Sequence, residues 1–159
     1  MKILWPPFLL AFLLLVSINA DADSLKQIVG ETEVVFVEEA NLSFKARVDT
    51  GAKTSSIHAE NIELDLSGDP RGKPISFDLV TKEGLSRKIK TRVSSVIKVR
   101  TSEMAEHRYV VPLLMKWNDS SKTVLVTLND RTKMKYRLLL GRNWLHRDFI
   151  VDVDKNDED

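Results

Sequence analysis

An all-β fold, barrel or sandwich, is what this 159-residue chain predicts, and three observations carry the prediction. Short runs rich in Val, Ile, Leu and Phe recur from residue 34 to residue 151. Turn-forming residues separate them at intervals of about 8–12 residues, the spacing of sandwiches and barrels. Apolar positions almost nowhere repeat with the helical period of about 3.6 residues. The length suits one domain, and no repeat, linker or low-complexity tract divides it.

The elements follow in order. After a polar lead-in at 23–33, Val34-Val35-Phe36-Val37 reads as the first strand and Glu38-Glu39-Ala40-Asn41 as a turn. Residues 42–48 alternate apolar and polar, the period of a half-buried strand, and run straight into Asp49-Thr50-Gly51. Residues 56–64 resume as a strand, and 66–74, with Gly68, Pro70, Gly72 and Pro74, form a loop. Residues 75–80 and 86–99 read as two strands joined in a hairpin at Lys82-Glu83-Gly84. A second hairpin pairs 108–114 with 122–128 across Asn118-Asp119-Ser120-Ser121. Pro112 has no N–H to donate, so its strand lies at an edge or carries a bulge. Leu138-Leu139-Leu140 is apolar throughout, as a strand buried on both faces is, and ends at Gly141. Residues 143–147 read as one helical turn with Asn143 as its N-cap, and Phe149-Ile150-Val151 as the last strand. The acidic tail at 152–159 is expected to fray.

The N-terminus suggests export. Met1-Lys2 is a short positive start, Ile3 to Ile18 is almost unbroken apolar, and Ala20-Asp21-Ala22 is a small-x-small cleavage pattern. That is the anatomy of a secretory signal peptide. Residues 1–22 are therefore expected to be removed, leaving 23–159 as one domain that is periplasmic or secreted and free of the membrane. The apolar run of 16 residues is short of the ~20 that a spanning helix needs; retention as an anchor is the alternative. No cysteine follows the run, so a lipoprotein anchor is excluded.

Composition narrows the chemistry. With 24 Lys+Arg against 23 Asp+Glu the formal charge is +1, which gives no global reason to expect nucleic acid or an anionic membrane as partner. The absence of cysteine removes disulfides, thiol nucleophiles and thiolate metal sites. The serine pairs lack a Gly-x-Ser-x-Gly elbow, and no phosphate-cradling Gly-rich loop is present, so neither serine hydrolysis nor ATP dependence is expected. The histidines are His58, His107 and His146, with no His-Glu-x-x-His. His58 and Glu60 share a strand face and could ligate a metal, but such pairs are more often surface accidents. No metal and no cofactor are expected.

The candidate catalytic group is Asp49. A carboxylate at a strand end sits on a rigid element; Thr50 can hold the turn with its hydroxyl, and Gly51 allows close backbone approach. Taken alone, Asp-Thr-Gly is a weak signal and reads first as a structural Asx turn between strands. Its context is more specific. Asp49-Thr50-Gly51-Ala52 is followed much later by Leu138-Leu139-Leu140-Gly141-Arg142-Asn143, and this ordered pair resembles the two hallmarks of retroviral-type aspartic proteases. A closer resemblance is carried by Lys45-Ala46-Arg47-Val48-Asp49-Thr50-Gly51-Ala52-Lys53-Thr54-Ser55-Ser56-Ile57-His58-Ala59. Arg92-Val93-Ser94-Ser95 and Asn129-Asp130-Arg131-Thr132-Lys133-Met134 fit it too. This is similar to the bacterial retropepsin-like aspartic endopeptidases formerly labelled ATP-dependent zinc proteases, and the likeness runs over about residues 28–153.

The resemblance implies a retropepsin-like (acid protease) closed barrel with one short C-terminal helix. It implies a dyad of two carboxylates sharing a proton, one pKa raised and one lowered. One chain holds one Asp-Thr-Gly, so the second Asp49 would come from a second copy in a symmetric homodimer. Thr50 would then lock the paired turns, with Gly51 and Ala52 completing them and His58, Gly141, Arg142 and Asn143 supporting them. Should the second carboxylate lie within the same chain, Asp78, Asp130 and Asp148 are the first to consider. One position departs from the retroviral pattern: Lys53 stands where an acid commonly pairs the arginine equivalent to Arg142. The flap candidate is the Lys82-Glu83-Gly84 hairpin. The substrate would be a peptide or protein. The basic stretch Arg87-Lys88-Ile89-Lys90-Thr91-Arg92 reads first as a solvated strand face and second as a contact for an acidic, glutamate-rich peptide, since family relatives sit beside ligases that add glutamates. A catalytically silent binding or accessory domain on the same fold is the competing function.

Overall fold

Alternation does build the barrel. In β3 (Leu42–Val48) the side chains of Leu42, Phe44, Ala46 and Val48 are buried, while Ser43 and Lys45 face out, as a pleat requires. The computed structural model describes residues 25–100 and 105–155, without the side chains of 99, 100, 105 and 106. The expected signal peptide at 1–22 and the end of the acidic tail at 156–159 lie outside the described residues.

The remaining elements are β1 (Gln27–Val29), β2 (Thr32–Val37), a 3-10 turn (Glu38–Ala40), β4 (Ser55–Leu64), β5 (Pro74–Val80) and β6 (Ser86–Arg92). There follow β7 (Ser95–Arg100), β8 (Ala105–Trp117), β9 (Ser120–Asn129), β10 (Leu138–Leu140), α1 (Arg142–Leu145) and β11 (Phe149–Val151). Hydrogen bonding runs β10-β3-β2-β8-β9-β4, and β4 returns to β10, so these strands close a barrel with one short helix after it, as expected. The seam is β10. It lies parallel to β3, with Leu138 opposite Ala46 and Leu140 opposite Val48, and antiparallel to β4, with Leu138 opposite Ile57. Leu138 and Leu140 are fully buried in the core, whereas Leu139 is only half-buried. β4 outruns the barrel, and its outer half pairs with β5, which pairs with β6, as a three-stranded arm.

Three local readings are corrected. The stretch 86–99 is not one strand. It breaks at Val93, whose N–H and C=O bond Lys73 and Gly72, and Ser94 N then donates to Val110 O; the chain leaves β5 for β8. The lead-in contains β1, which pairs parallel with β11, Ile28 opposite Ile150. The helical turn begins at Arg142 with Gly141 as its N-cap, and Asn143 lies inside it. Pro112 fits its expectation. β8 pairs with β7 through residues 105–110 and with β2 at 115–116, so Pro112 falls in the gap between them. On that side the neighbouring Leu114 N–H donates to the Glu39 carboxylate at 2.9 Å instead.

Candidate active site

β3 ends at Val48, and the next residue is held from three directions. Asp49 N donates to Leu140 O on β10 at 2.9 Å. The Asp49 Oδ1 accepts from Gly51 N at 2.9 Å and from Ala52 N at 3.1 Å, the geometry of an Asx turn. Its Oδ2 accepts no hydrogen bond from a described residue. The side chain is half-buried and Thr50 is exposed. A Cβ on Gly51 would stand 3.2 Å from Asp49 Oδ1, so the glycine keeps the carboxylate uncrowded.

Behind this turn sits the chain's far end. A Cβ on Gly141 would lie 2.8 Å from the Thr54 carbonyl carbon and 2.9 Å from Ala52 O, both backbone atoms that cannot yield. Arg142 N donates to Ala52 O at 2.8 Å, and Asn143 N to Lys53 O at 3.3 Å. The Arg142 guanidinium does not need an acid at position 53: its Nη1 donates to Thr50 O and Gly51 O, each at 3.0 Å. Asn143, expected as a helix cap, is a clamp. Its Oδ1 accepts from Ser55 N at 2.8 Å and Ser55 Oγ at 2.9 Å, and its Nδ2 donates to Leu125 O at 2.7 Å. Ser55 Oγ in turn accepts from Gly141 N at 3.0 Å, and Thr127 Oγ1 donates to Ser55 O at 3.1 Å.

His58 is fully buried and sits one step back. Its Nδ1 accepts from Arg131 N at 2.9 Å, which places the ring proton on Nε2, facing Glu60 Oε1 at 2.8 Å. Both ring nitrogens are thus engaged inside the protein, and among the described residues no group of three or more His, Cys, Asp or Glu could hold a metal ion. The residue so fixed, Arg131, went unremarked in the sequence except as part of a motif. Its Nε donates to Tyr136 O at 3.1 Å. Burial, and then the like charge of Arg108, push its guanidinium below its ordinary value, while Asp49 pulls it back up, so Arg131 lies within electrostatic reach of the candidate carboxylate. No sequence periodicity marks such a residue; it stands on a loop between β9 and β10.

A cleft of about 360 Å³ opens beside Asp49, lined by Glu31, Arg47, Thr50, Val151 and Val153 among others. Arg47 and Glu31 close one wall with an ion pair at 2.6 Å. The hairpin turn at 81–85, the flap candidate, does not line this cleft; it faces Lys45, Tyr136 and Arg137. The in-chain alternatives for a second carboxylate are committed elsewhere. Asp78 accepts from Asn61 Nδ2 at 2.7 Å, Asp130 from Thr132 N at 2.8 Å, and Asp148 from Lys122 Nζ at 2.6 Å.

Comparison with known proteins adds a family. A family model described as "RimB-like: Retropepsin-like aspartic endopeptidase RimB" matches residues 28–157. A protein of Shewanella pealeana named "Probable alpha-L-glutamate ligase" is 38% identical over 120 residues, 72% of this chain and 25% of the relative. One of the same name from Desulfotalea psychrophila is 32% identical over 136 residues, 82% of this chain and 29% of the relative. The chain thus spans little more than a quarter of the length of these curated relatives. A crystal structure of a Legionella pneumophila protein of unknown function (DUF785) is 31% identical, with a TM-score of 0.66 over 80% of this chain and 93% of that one.

Proposed function

Because the chain belongs to the RimB-like family of retropepsin-like aspartic endopeptidases, we propose that it hydrolyses peptide bonds with a dyad of two Asp49 carboxylates, one from each copy of a homodimer. The observation that carries this reading is the state of Asp49: one oxygen is fixed by two backbone N–H groups, and the other accepts no hydrogen bond from a described residue. Two such carboxylates facing each other cannot both ionise easily, so they share a proton. The ionised member takes a proton from water as it attacks, and the protonated member polarises the scissile carbonyl. The pair titrates as a unit, and the acid is lost once both members ionise, so activity falls as pH rises through the upper value. Thr50 would bond across the twofold axis, and Arg142, Gly141 and Asn143 keep each turn in place. Lys53 does not weaken the reading, since Arg142 braces the turn through carbonyl oxygens.

An open apolar rim supports the dimer. Ile28 and Ile150, opposite one another on β1 and β11, are 51% and 53% exposed, and Val153 at the cleft edge is 60% exposed. We place the protein outside the cytoplasm after cleavage near Ala22, and take its substrate to be a peptide, with a glutamate-rich one favoured. The favouring features are the basic outer face of β6, where Lys88, Lys90 and Arg92 are exposed, and the glutamate named in the relatives' activity. Ligation itself we assign to the remainder of those relatives' longer chains, for this chain has no phosphate-cradling loop.

The test uses the processed chain and a peptide library that includes glutamate-rich members. Cleavage is expected to vanish in Asp49→Asn and to rise in specific activity with protein concentration until dimerisation saturates. Excess Asp49→Asn should poison the parent. Equal cleavage by parent and variant would remove Asp49 from the reaction. A dimeric parent that cleaves nothing across acid and neutral pH would favour the silent accessory domain instead.

A further inference from the structure

Arg137 carries a charge that the Asp49 site does not use. Its carbonyl accepts from His58 N at 2.8 Å, which fixes its backbone beside β4. Its side-chain Nε and Nη1 are both buried and meet no acceptor among the described residues. Leaving a buried charged donor unmade forfeits its hydration with nothing in return, and such groups in native proteins ordinarily have a partner. Asp130 feels the Arg137 charge, but its carboxylate is turned to Thr132 and its side chain is 80% exposed.

Arg137 lines a cavity of about 130 Å³ beneath the turn at 81–85. Lys45, Lys82 and Lys135 line it too, with Thr81 and the single acid Glu83. Glu83 is held by its own backbone N–H and by the Thr81 hydroxyl, which draw its carboxyl below the usual range. Four basic residues therefore line a space whose one acid is already engaged, and the Lys135 ammonium stands over the Tyr136 ring at its edge, 5.3 Å from the centroid. At about 130 Å³ the space has room for one small oxyanion but not for a folded partner.

We propose that this cavity is a binding site for a free tetrahedral oxyanion of the phosphate class, with Arg137 at its floor and Lys45, Lys82 and Lys135 around it. The anion sets a counter-charge beside the Arg137 side chain and ties the 81–85 turn to β3 and to the segment entering β10. The site is independent of the Asp49 dyad, so it stands whether or not the chain is a peptidase.

The experiment titrates inorganic phosphate into the chain at fixed ionic strength, with chloride as the replaced anion and glutarate as a carboxylate arm. Calorimetry and thermal unfolding are read together, because phosphate also stabilises proteins without binding, by exclusion from their surface. The expected result is saturable binding of one phosphate per chain with a rise in Tm that follows mass action. Both should be lost in Arg137→Met, and weakened at least tenfold in the double variant Lys82→Gln, Lys135→Gln, whose positions lie on exposed loops and keep the fold should Arg137→Met fail to. A linear, unsaturating rise shared by parent and double variant overturns the proposal, as does saturable binding of glutarate with none of phosphate.

Discussion

The two halves of β4 differ in almost every respect. From Ser55 to His58 the strand is buried and has a neighbour on each side, β9 running parallel and β10 antiparallel. From Glu60 to Leu64 it is largely exposed, has β5 as its neighbour, and is bulged between Glu60 and Glu63, with Asn61 at φ 50°. Polar residues occur in both halves, but their bonds differ in reach. Ser55 is clamped by Asn143 from 88 residues away, and His58 holds Arg131 from 73 residues away. In the outer half Glu63 bonds Ser76, 13 residues on, and Asn61 bonds Asp78, 17 residues on. The candidate site is built where polar groups are buried and long-range, and the arm is built where they are local and wet.

Substitutions on either side sharpen the contrast. The largest effect is expected from Gly141→Ala, because the added methyl meets backbone at 2.8 Å and 2.9 Å and the Asp49 turn must move. Overpacking typically costs about 1–3 kcal/mol and more where backbone must shift; thermal unfolding should show a fall of many degrees, and an unchanged Tm would mean the turn is not seated on Gly141. Next comes Asn143→Ala, which strips the Ser55 N–H of its acceptor and Leu125 O of a donor. A loss of about 1–3 kcal/mol is expected by denaturant titration, and a double-mutant cycle with Ser55→Ala should show coupling of at least about 0.5 kcal/mol. Additive effects would dissolve the clamp.

Arg142→Lys should cost less stability than activity. The lysine keeps the charge but lacks the planar fork, so the Thr50 and Gly51 carbonyls lose their shared donor. A drop in cleavage rate with Tm changed by only a few degrees is the expected pattern. Glu63→Gln, on the exposed half, should do least. The Ser76 hydroxyl first, and then Lys88, hold the Glu63 carboxyl below its ordinary value. A depressed folded pKa contributes stability above the unfolded value and loses it as pH falls through the folded one. Any small difference between Glu63→Gln and parent should therefore be seen at neutral pH and vanish in acid; a difference that grows in acid would reverse the assignment.

Much of the barrel was legible because alternation is local. β3 and the β8–β9 hairpin announce themselves by which side chains can be buried, and β10 by three leucines in a row. β1 was not legible: of Gln27, Ile28 and Val29 only Val29 is buried, so no pattern exists to read. The break at Val93 was hidden because Val93 stays buried while its backbone changes partners, and the apolar rhythm passes through unbroken. At the site, Asp49, Gly141 and Arg142 could be picked out by resemblance. The roles of Asn143 and Ser55 could not, since each is defined by a partner that only the closed barrel delivers. Asn143 looks like a cap by type and position, and becomes a clamp because Ser55 stands opposite.

The seam strand also sets an order of events. Pairings of such sequence separation carry a large loop-closure cost and form slowly. During synthesis at about 5–20 residues per second, the 88 residues between Ser55 and Asn143 take roughly 4–18 s to emerge. Throughout that interval the nascent chain displays the Asp49 turn with neither its brace nor its floor. Sealing the barrel and seating the carboxylate are one event, and it waits until Asn143 has been made.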